Sequence, residues 1–279
     1  MSIQTANSSS KFTNESSASF ELAILGGCSP RERLYNSPML APFSVVIPAF
    51  NEASRIGDTL RLTLDYLQDV APQSELIVVN DGSTDGTGAI TREVFSGAKV
   101  TTRLLENFPN RGKGAAVRSG LLAVQKPIGL FFDADLSTPL EETPKVIKPI
   151  ADGRVDIVFG SRALNRRLIG QHQPWRREQA GRIFNLFVRL ATGLPFWDTQ
   201  CGFKAFRLDV CRPILEAARI DGFAFDVELL YLAQRTGLRI REIPVRWNDA
   251  TGSKVRFFHD SLRMLHEVIT LRMHYVRGD

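Results

Sequence analysis

"IGLFFDADLSTP" spans Ile128–Pro139, and its apolar half ends in two aspartates one residue apart, Asp133 and Asp135. A short continuous apolar run closed by polar residues reads as a strand buried on both faces, with acid at its tip. Alternate side chains of a strand share a face, so both carboxylates point one way if the strand persists. If it breaks, both still reach one site from a turn. Like charges that close repel unless a cation or a proton lies between them. Hard oxygen donors in this arrangement suit Mg²⁺ or Mn²⁺, held by the carboxylates together with substrate phosphates. The competing reading is that a strand-ending Asp merely caps a helix or forms a turn.

Working outward, "FSVVIPAF" (43–50), "ELIVVND" (75–81) and "VDIVFGS" (155–161) repeat the same design. Between them lie stretches with helical spacing, Ile56, Leu60, Leu64 and Leu67 in one and Ala115–Val124 in another. Buried strands alternating with helices predict an α/β fold, a mainly parallel sheet with helices on both faces. In such sheets ligands sit beyond the carboxyl ends of the strands. The polar endings "PAFNE", "NDGSTDGT", "DADLSTP" and "GSR" all fall there.

The chain of 279 residues is 43% apolar and 23% charged, an ordinary globular composition, with a formal net charge of +5. Charge is concentrated: between Ser161 and Leu190 seven arginines (162, 166, 167, 176, 177, 182 and 189) face the single Glu178. A local basic patch of this kind suits an anionic partner. Three cysteines, 28, 201 and 211, lack metal-type spacing and argue against a disulfide framework. No apolar run reaches the roughly 20 residues of a membrane span, and no signal-peptide pattern opens the chain. Residues 1–40 read as a flexible polar tail, 41–250 as the main α/β domain and 251–279 as a basic amphipathic C-terminal helix. In that helix Phe258, Leu262, Leu265, Ile269, Met273 and Val276 form one apolar stripe.

Two further motifs bear on a nucleotide. In "VVNDGSTDGT" (78–87) a tight turn explains Gly82 and Asp85, while Asp81 at the strand tip is placed to accept a hydrogen bond from a base N–H. "RGKGAAVRSG" (111–120) departs from the P-loop pattern because Gly114 follows Lys113, and the first strand unit carries no dinucleotide fingerprint. Arg111 or Lys113 either approaches a diphosphate or is solvated charge at a helix start.

"VVIPAFNE", "VVNDGSTDGT", "NRGKGAAVRSG", "FFDADLSTP", "FGSR", "DTQCGFKAF", "GFAFDVELLYLAQ" and "EIPVRWND…GSK" occur in this order over roughly residues 43–275. The series resembles the inverting family 2 glycosyltransferases of GT-A fold, and within them the glucosyl branch of the polyprenyl-phosphate enzymes. The resemblance implies a GT-A nucleotide-sugar domain. It places the nucleotide on Pro48, Phe50, Glu52 and Asp81, and a Mg²⁺ or Mn²⁺ ion on Asp133 and Asp135. Arg162 and Arg177 match positions that hold the acceptor phosphate in related mannosyl enzymes. By position Asp198, or Asp226 with Glu228, either contacts sugar hydroxyls or serves as a cap or core-lining residue, with Asp226 the candidate for the catalytic set. Lys254 either reaches the diphosphate or has such a structural role, and Lys113 is the other candidate for the diphosphate.

The implied reaction moves glucose from UDP-glucose to a polyprenyl (dolichyl-type) phosphate, giving a β-glucosyl phosphoryl polyprenol. A GDP-mannose donor or a soluble acceptor is the alternative. No nucleic-acid partner is expected. Eukaryotic glucosyl enzymes carry an N-terminal membrane anchor where this tail is polar. Peripheral attachment to the cytoplasmic face of a membrane, through the C-terminal helix, is therefore the expectation.

Overall fold

A computed structural model describes residues 39–171, 175–249 and 257–276. The tail up to residue 38 and Lys254 lie outside the described residues, as do the side chains of Arg177 and of Phe258, Leu262, Met273 and Val276.

Strands β1 (Ser44–Ala49), β2 (Glu75–Asp81), β3 (Thr101–Asn107) and β4 (Ile128–Phe132) alternate with helices α1 (Ile56–Val70), α2 (Thr87–Ser96) and α3 (Lys113–Ala123). Helix α4 (Thr143–Ala151) leads into β5 (Ile157–Ser161). After β6 (Ile169–Gln171) and the long α5 (Trp175–Thr192) come β7 (Phe203–Arg207), α6 (Leu208–Ala217), α7 (Phe225–Arg235), β8 (Ile240–Pro244), β9 (Trp247–Asn248) and α8 (Phe257–Val276).

The main sheet has the order β3-β2-β1-β4-β7-β5-β8. Its pairings are parallel except at β7, which runs antiparallel between β4 and β5. Strand β6 pairs with β9 in a small separate ribbon. The strand order reverses between β1 and β4, which creates a crevice at their carboxyl ends. The polar tips after β1, β2 and β4 line it, while the tip after β5, with Arg162, does not.

Every residue of β2, β4 and β5 is buried, which accounts for their uninterrupted Val, Ile and Phe content. Edge strand β3 is only partly covered and mixes Thr, Arg and Glu with leucine. Phe131 stacks on Phe206 at 6.3 Å and tilts against Phe225 at 5.7 Å, tying β4 to β7 and α7. Glu75, fully buried at the start of β2, accepts from Ser44 Oγ and from the Gln125 N–H, both at 2.5 Å. It thereby fixes where β1 and the entry to β4 meet.

The C-terminal helix forms, but a different stripe packs. Met264, Val268 and Leu271 are buried against the domain, with Tyr275 partly so. Of the stripe expected from spacing, Leu265 is half-buried and Ile269 exposed. The packed residues fall at i, i+4 and i+7; Met264 and Val268 each precede an expected residue, Leu265 and Ile269, by one position, a rotation of about 100° on a helix. Burying each of them stabilises the docked helix by roughly 1.5–3 kcal/mol.

Candidate active site

The crevice is a cleft of about 700 Å³, within the range of about 300–1,000 Å³ typical of small-molecule sites. Its walls include Pro48, Phe50, Glu52, Asp81, Lys113, Asp133 and Asp135, the residues expected at a nucleotide and its diphosphate. The described structure thus brings seven predicted positions, from β1, β2, α3 and β4, into one cleft.

The acidic pair is held by its surroundings. Thr59 Oγ1 donates to the Ala134 carbonyl at 2.6 Å, and Asp135 accepts from the Ser137 N–H at 3.0 Å. Leu136 takes a positive φ of 49°, turning the chain so that its N–H reaches the Asp133 carbonyl. The Asp133 carboxylate lies against the backbone of Gly202, where an added Cβ would come within 2.1 Å of Oδ2. Glycine at the entry to β7 is therefore a condition for this carboxylate position. Gly202→Ala is expected to displace Asp133 and weaken Mn²⁺ binding by about tenfold or more. Water-proton relaxation against added Mn²⁺ would measure it, and unchanged affinity would show that the carboxylate has another way to seat.

Lys113 Nζ lies 2.6 Å from Asp133 Oδ1, so the ammonium bridges the first turn of α3 to the tip of β4. Burial alone would lower its pKa, but the charges of Asp133, Asp226 and Asp135 outweigh burial and hold it above the ordinary lysine value. Of the two sequence readings, solvated charge at a helix start is ruled out for Lys113. The α3 N-terminus offers no open anion cradle, since the N–H groups of Gly114 and Ala115 donate to the Asp221 carbonyl.

Asp81 stands at the tip of β2 as expected, yet its carboxylate is occupied locally. It accepts from Asn107 and Asn110 Nδ2, each at 2.9 Å, and from the N–H groups of Arg111 and Gly112. Its evident work is to fold the 107–112 loop that carries Arg111 and Lys113 to the cleft. Gly82, at φ 74°, packs so tightly against that loop that a Cβ would lie 2.6 Å from the Asn110 nitrogen.

Arg162 and Asp226 do not line the cleft among the described residues; they belong to a buried ionic layer beside it. Arg162 binds Asp198 bidentately, Nε to Oδ2 at 2.7 Å and Nη2 to Oδ1 at 2.8 Å, and its guanidinium sits 5.4 Å from the Trp247 ring centre. Asp226 pairs with the fully buried Lys204 at 2.5 Å, and Lys204 also donates to the Cys201 carbonyl at 2.6 Å. Burial pushes the Asp226 carboxyl up, only partly offset by Lys204 and Lys113. Asp133 acts electrostatically on both Lys113 and Arg162, so layer and cleft share one field. Glu228 accepts from the N–H groups of Arg219 and Ile220 and from Tyr275, an anchoring role.

For Asp198, burial works against ionisation, but Arg162 outweighs it and keeps the pKa below the ordinary 3.8. A depressed folded-state value means the pair's stabilisation is present above the unfolded pKa and lost as pH falls through the folded one. Wild type is therefore expected to lose stability in acid below about pH 4, more steeply than Asp198→Asn, in urea titrations across that range. Parallel curves would remove the pair from the acid response.

Sequence reasoning missed the far wall, where Gly222, Phe223, Arg263, Met264 and Glu267 line the cleft opposite the strand tips. Arg263 and Glu267 pair at 3.0 Å across one helical turn of α8. The 263/267 spacing was the available signal, but nothing local says that a C-terminal helix folds back over a cleft.

Among the described residues no three His, Cys, Asp or Glu side chains cluster to hold a metal. Asp133 and Asp135 nevertheless fit a divalent cation that completes its shell with substrate phosphate and water: both are hard oxygen donors on the cleft wall, and one already binds an ammonium.

An α/β sheet with a nucleotide-sized cleft at its switch point, floored by a D-x-D pair, defines the GT-A class. The glycosyl transferase family 2 model matches residues 44–215. The chain is 33% identical to dolichyl-phosphate beta-glucosyltransferase of Dictyostelium discoideum, over 84% of this chain and 75% of that protein. To the enzyme of the same name from Homo sapiens it is also 33% identical, over 88% and 79%. In structure it resembles glucosyl-3-phosphoglycerate synthase of Mycobacterium tuberculosis in complex with Mn²⁺, UDP-glucose and phosphoglyceric acid, with a TM-score of 0.60 at 23% identity over 84% of this chain and 79% of that one. It also resembles a Pyrobaculum calidifontis mannosyltransferase in complex with GDP-Man and Mn²⁺, at 0.53 and 20% over 87% and 75%. The chain belongs to the family 2 glycosyltransferases. It is an enzyme that transfers a sugar.

Proposed function

We propose that the protein transfers glucose from UDP-glucose to a dolichyl-type polyprenyl phosphate with inversion at the anomeric carbon. The observation that carries this reading is the acid pair Asp133/Asp135 on a nucleotide-sized cleft, in a chain one-third identical to dolichyl-phosphate beta-glucosyltransferases. In this reading Pro48, Phe50 and Glu52 bound the nucleotide pocket, and Asp81 shapes the loop that closes it. Asp133 and Asp135 hold Mg²⁺ or Mn²⁺, which when bound would neutralise charge on the departing diphosphate. Lys113, already on Asp133, is placed to shift toward the diphosphate, with Lys254 as a second cation.

The acceptor needs no strong base. A phosphate monoester carries about −1.5 to −2 charge near neutral pH, by analogy with phosphoserine. It is a nucleophile as it arrives. The protein's tasks are to orient it and to offset its charge, which positioning and fixed positive groups accomplish. Arg162 would do so with the N–H groups that Asp198 does not engage, and Arg177, carried on α5, would complete the clamp. Asp226, raised by burial, serves as a charge partner within the layer rather than as a base in contact with substrate.

The test is transfer of labelled sugar from UDP-glucose, UDP-galactose or GDP-mannose to polyprenyl phosphates and to small phosphorylated acids. Glucose entering the organic phase only with UDP-glucose and a lipid phosphate is the expected result. Label that stays in water with every donor overturns the acceptor, and label that enters from GDP-mannose overturns the sugar.

A further inference from the structure

Helix α5 has two apolar faces. Phe184, Phe187, Val188 and Ala191 turn inward to the core. On the other side Ile183, Leu186 and Leu190 are 69%, 55% and 75% exposed, at i, i+3 and i+7. Trp175, 72% exposed, stands eleven residues before Leu186, three turns along the same side, and Trp197, 55% exposed, follows the helix. Arg182 and Arg189 flank the stripe, and the Arg189 guanidinium lies 3.9 Å from the Trp197 ring centre. Glu178, the sole acid of the 161–190 stretch, is engaged by Arg166 and Arg182.

We propose that this outward face of α5 is the surface on which the enzyme docks to an anionic lipid bilayer, with Ile183, Leu186 and Leu190 entering the boundary between headgroups and acyl chains. Large aliphatic side chains on one side, arginines beside them and tryptophans at both ends are the composition of a helix lying in a membrane interface. The net positive charge complements lipid phosphates.

Position in the fold adds a second argument. The excursion 163–197, which contains α5, is closed at its root by the Arg162–Asp198 pair, beside the field of Asp133. A headgroup on this excursion is thus led toward the cleft. Helix α8 packs beside α5 and contributes exposed Ile269, while its Met264, Val268 and Leu271 are committed to the core. Met264, Val268 and Leu271 are thus not available to a bilayer, and among the described residues α5 presents the larger exposed apolar face.

The proposal rests on the lipid-acceptor reading, but its test is separate. Full-length protein is sedimented with vesicles of phosphatidylcholine alone or mixed with phosphatidylglycerol, without donor. Wild type is expected to pellet with the anionic vesicles. Ile183→Glu, Leu186→Glu and Leu190→Glu should each lower partitioning on the order of tenfold. Ile269→Glu should change it far less. UDP binding in each variant shows that the fold is kept, since these side chains already face solvent.

Retained vesicle binding in the Ile183/Leu186/Leu190 triple variant overturns the proposal. So does a wild-type dimer that the triple variant dissociates without loss of vesicle binding, because the face would then join two copies. Vesicle binding that depends on α5 in an enzyme that glucosylates no lipid phosphate would sink the acceptor reading and leave the docking surface standing.

Discussion

Asp135→Ala is expected to lower kcat by at least about a thousandfold, with the protein folded and its thermal midpoint lowered by only about 2–4 °C. Two facts set the size. Among the described residues no third acid or imidazole joins the pair, so in the proposed reading, where the pair holds the cation, loss of one carboxylate halves the protein's share of that site. Its neighbour is already engaged by the Lys113 ammonium, so Asp133 alone faces a competitor for any incoming cation. The thermal expectation follows from exposure and bonding: within the chain Asp135 holds the Ser137 N–H, a turn contact worth about 1 kcal/mol. Single-turnover transfer with saturating Mn²⁺ measures the chemical step, and Mn²⁺ relaxation measures the site. A variant within tenfold of wild type in turnover would mean that the acid pair does not hold the metal used in catalysis.

Much of this cleft was legible in the chain because its elements are local. A buried strand must be apolar, its tip can be polar, and the tips converge wherever parallel strands turn. Asp81, Asp133 and Asp135 follow from that rule, Pro48, Phe50, Glu52 and Lys113 from the family resemblance, and all seven line one cleft. What escaped depends on partners far away in sequence. The composition of "FKAFR" carries no strand direction, so its antiparallel insertion between β4 and β5 was invisible. On α8, apolar residues occur at two adjacent registers, and only the docked domain selects Met264, Val268 and Leu271. The Asp81 carboxylate could serve a base or a loop equally well by its position; its contacts with Asn107 and Asn110 show the loop role, which the chain did not reveal. The arginine cluster was visible as charge, but not the Ile183–Leu190 stripe on its outer side, because the inward Phe184, Phe187 and Val188 blur the helical period.

Lys204→Ala is expected to be the most damaging single change to the fold. Lys204 is fully buried between the Phe131 and Phe159 rings, 5.5 and 5.8 Å from their centres, and holds Asp226 at 2.5 Å. Removing it leaves a buried carboxyl without its main countercharge and a void between two aromatic rings, a cost of about 3–5 kcal/mol. That is a large part of a typical domain stability of about 5–15 kcal/mol. Because the Asp226 pKa is already raised, its folded state favours the proton; stability tied to that shift is present below the unfolded pKa and lost as pH rises through the folded one. The variant should therefore recover part of its loss in mild acid, where Asp226 takes up a proton. Replacing both partners, Lys204→Met with Asp226→Leu, removes the buried charges together and is expected to regain most of the stability. Activity then separates two roles for Asp226. If the pair tunes Lys113 through the field, the stable double variant transfers sugar slowly and its Lys113–Asp133 pairing changes; if the pair is only a strut, turnover returns with the fold. Chemical denaturation of all three proteins at neutral and mildly acid pH, with turnover beside it, decides between them, and a Lys204→Ala protein as stable as wild type would show that the buried charge has found water.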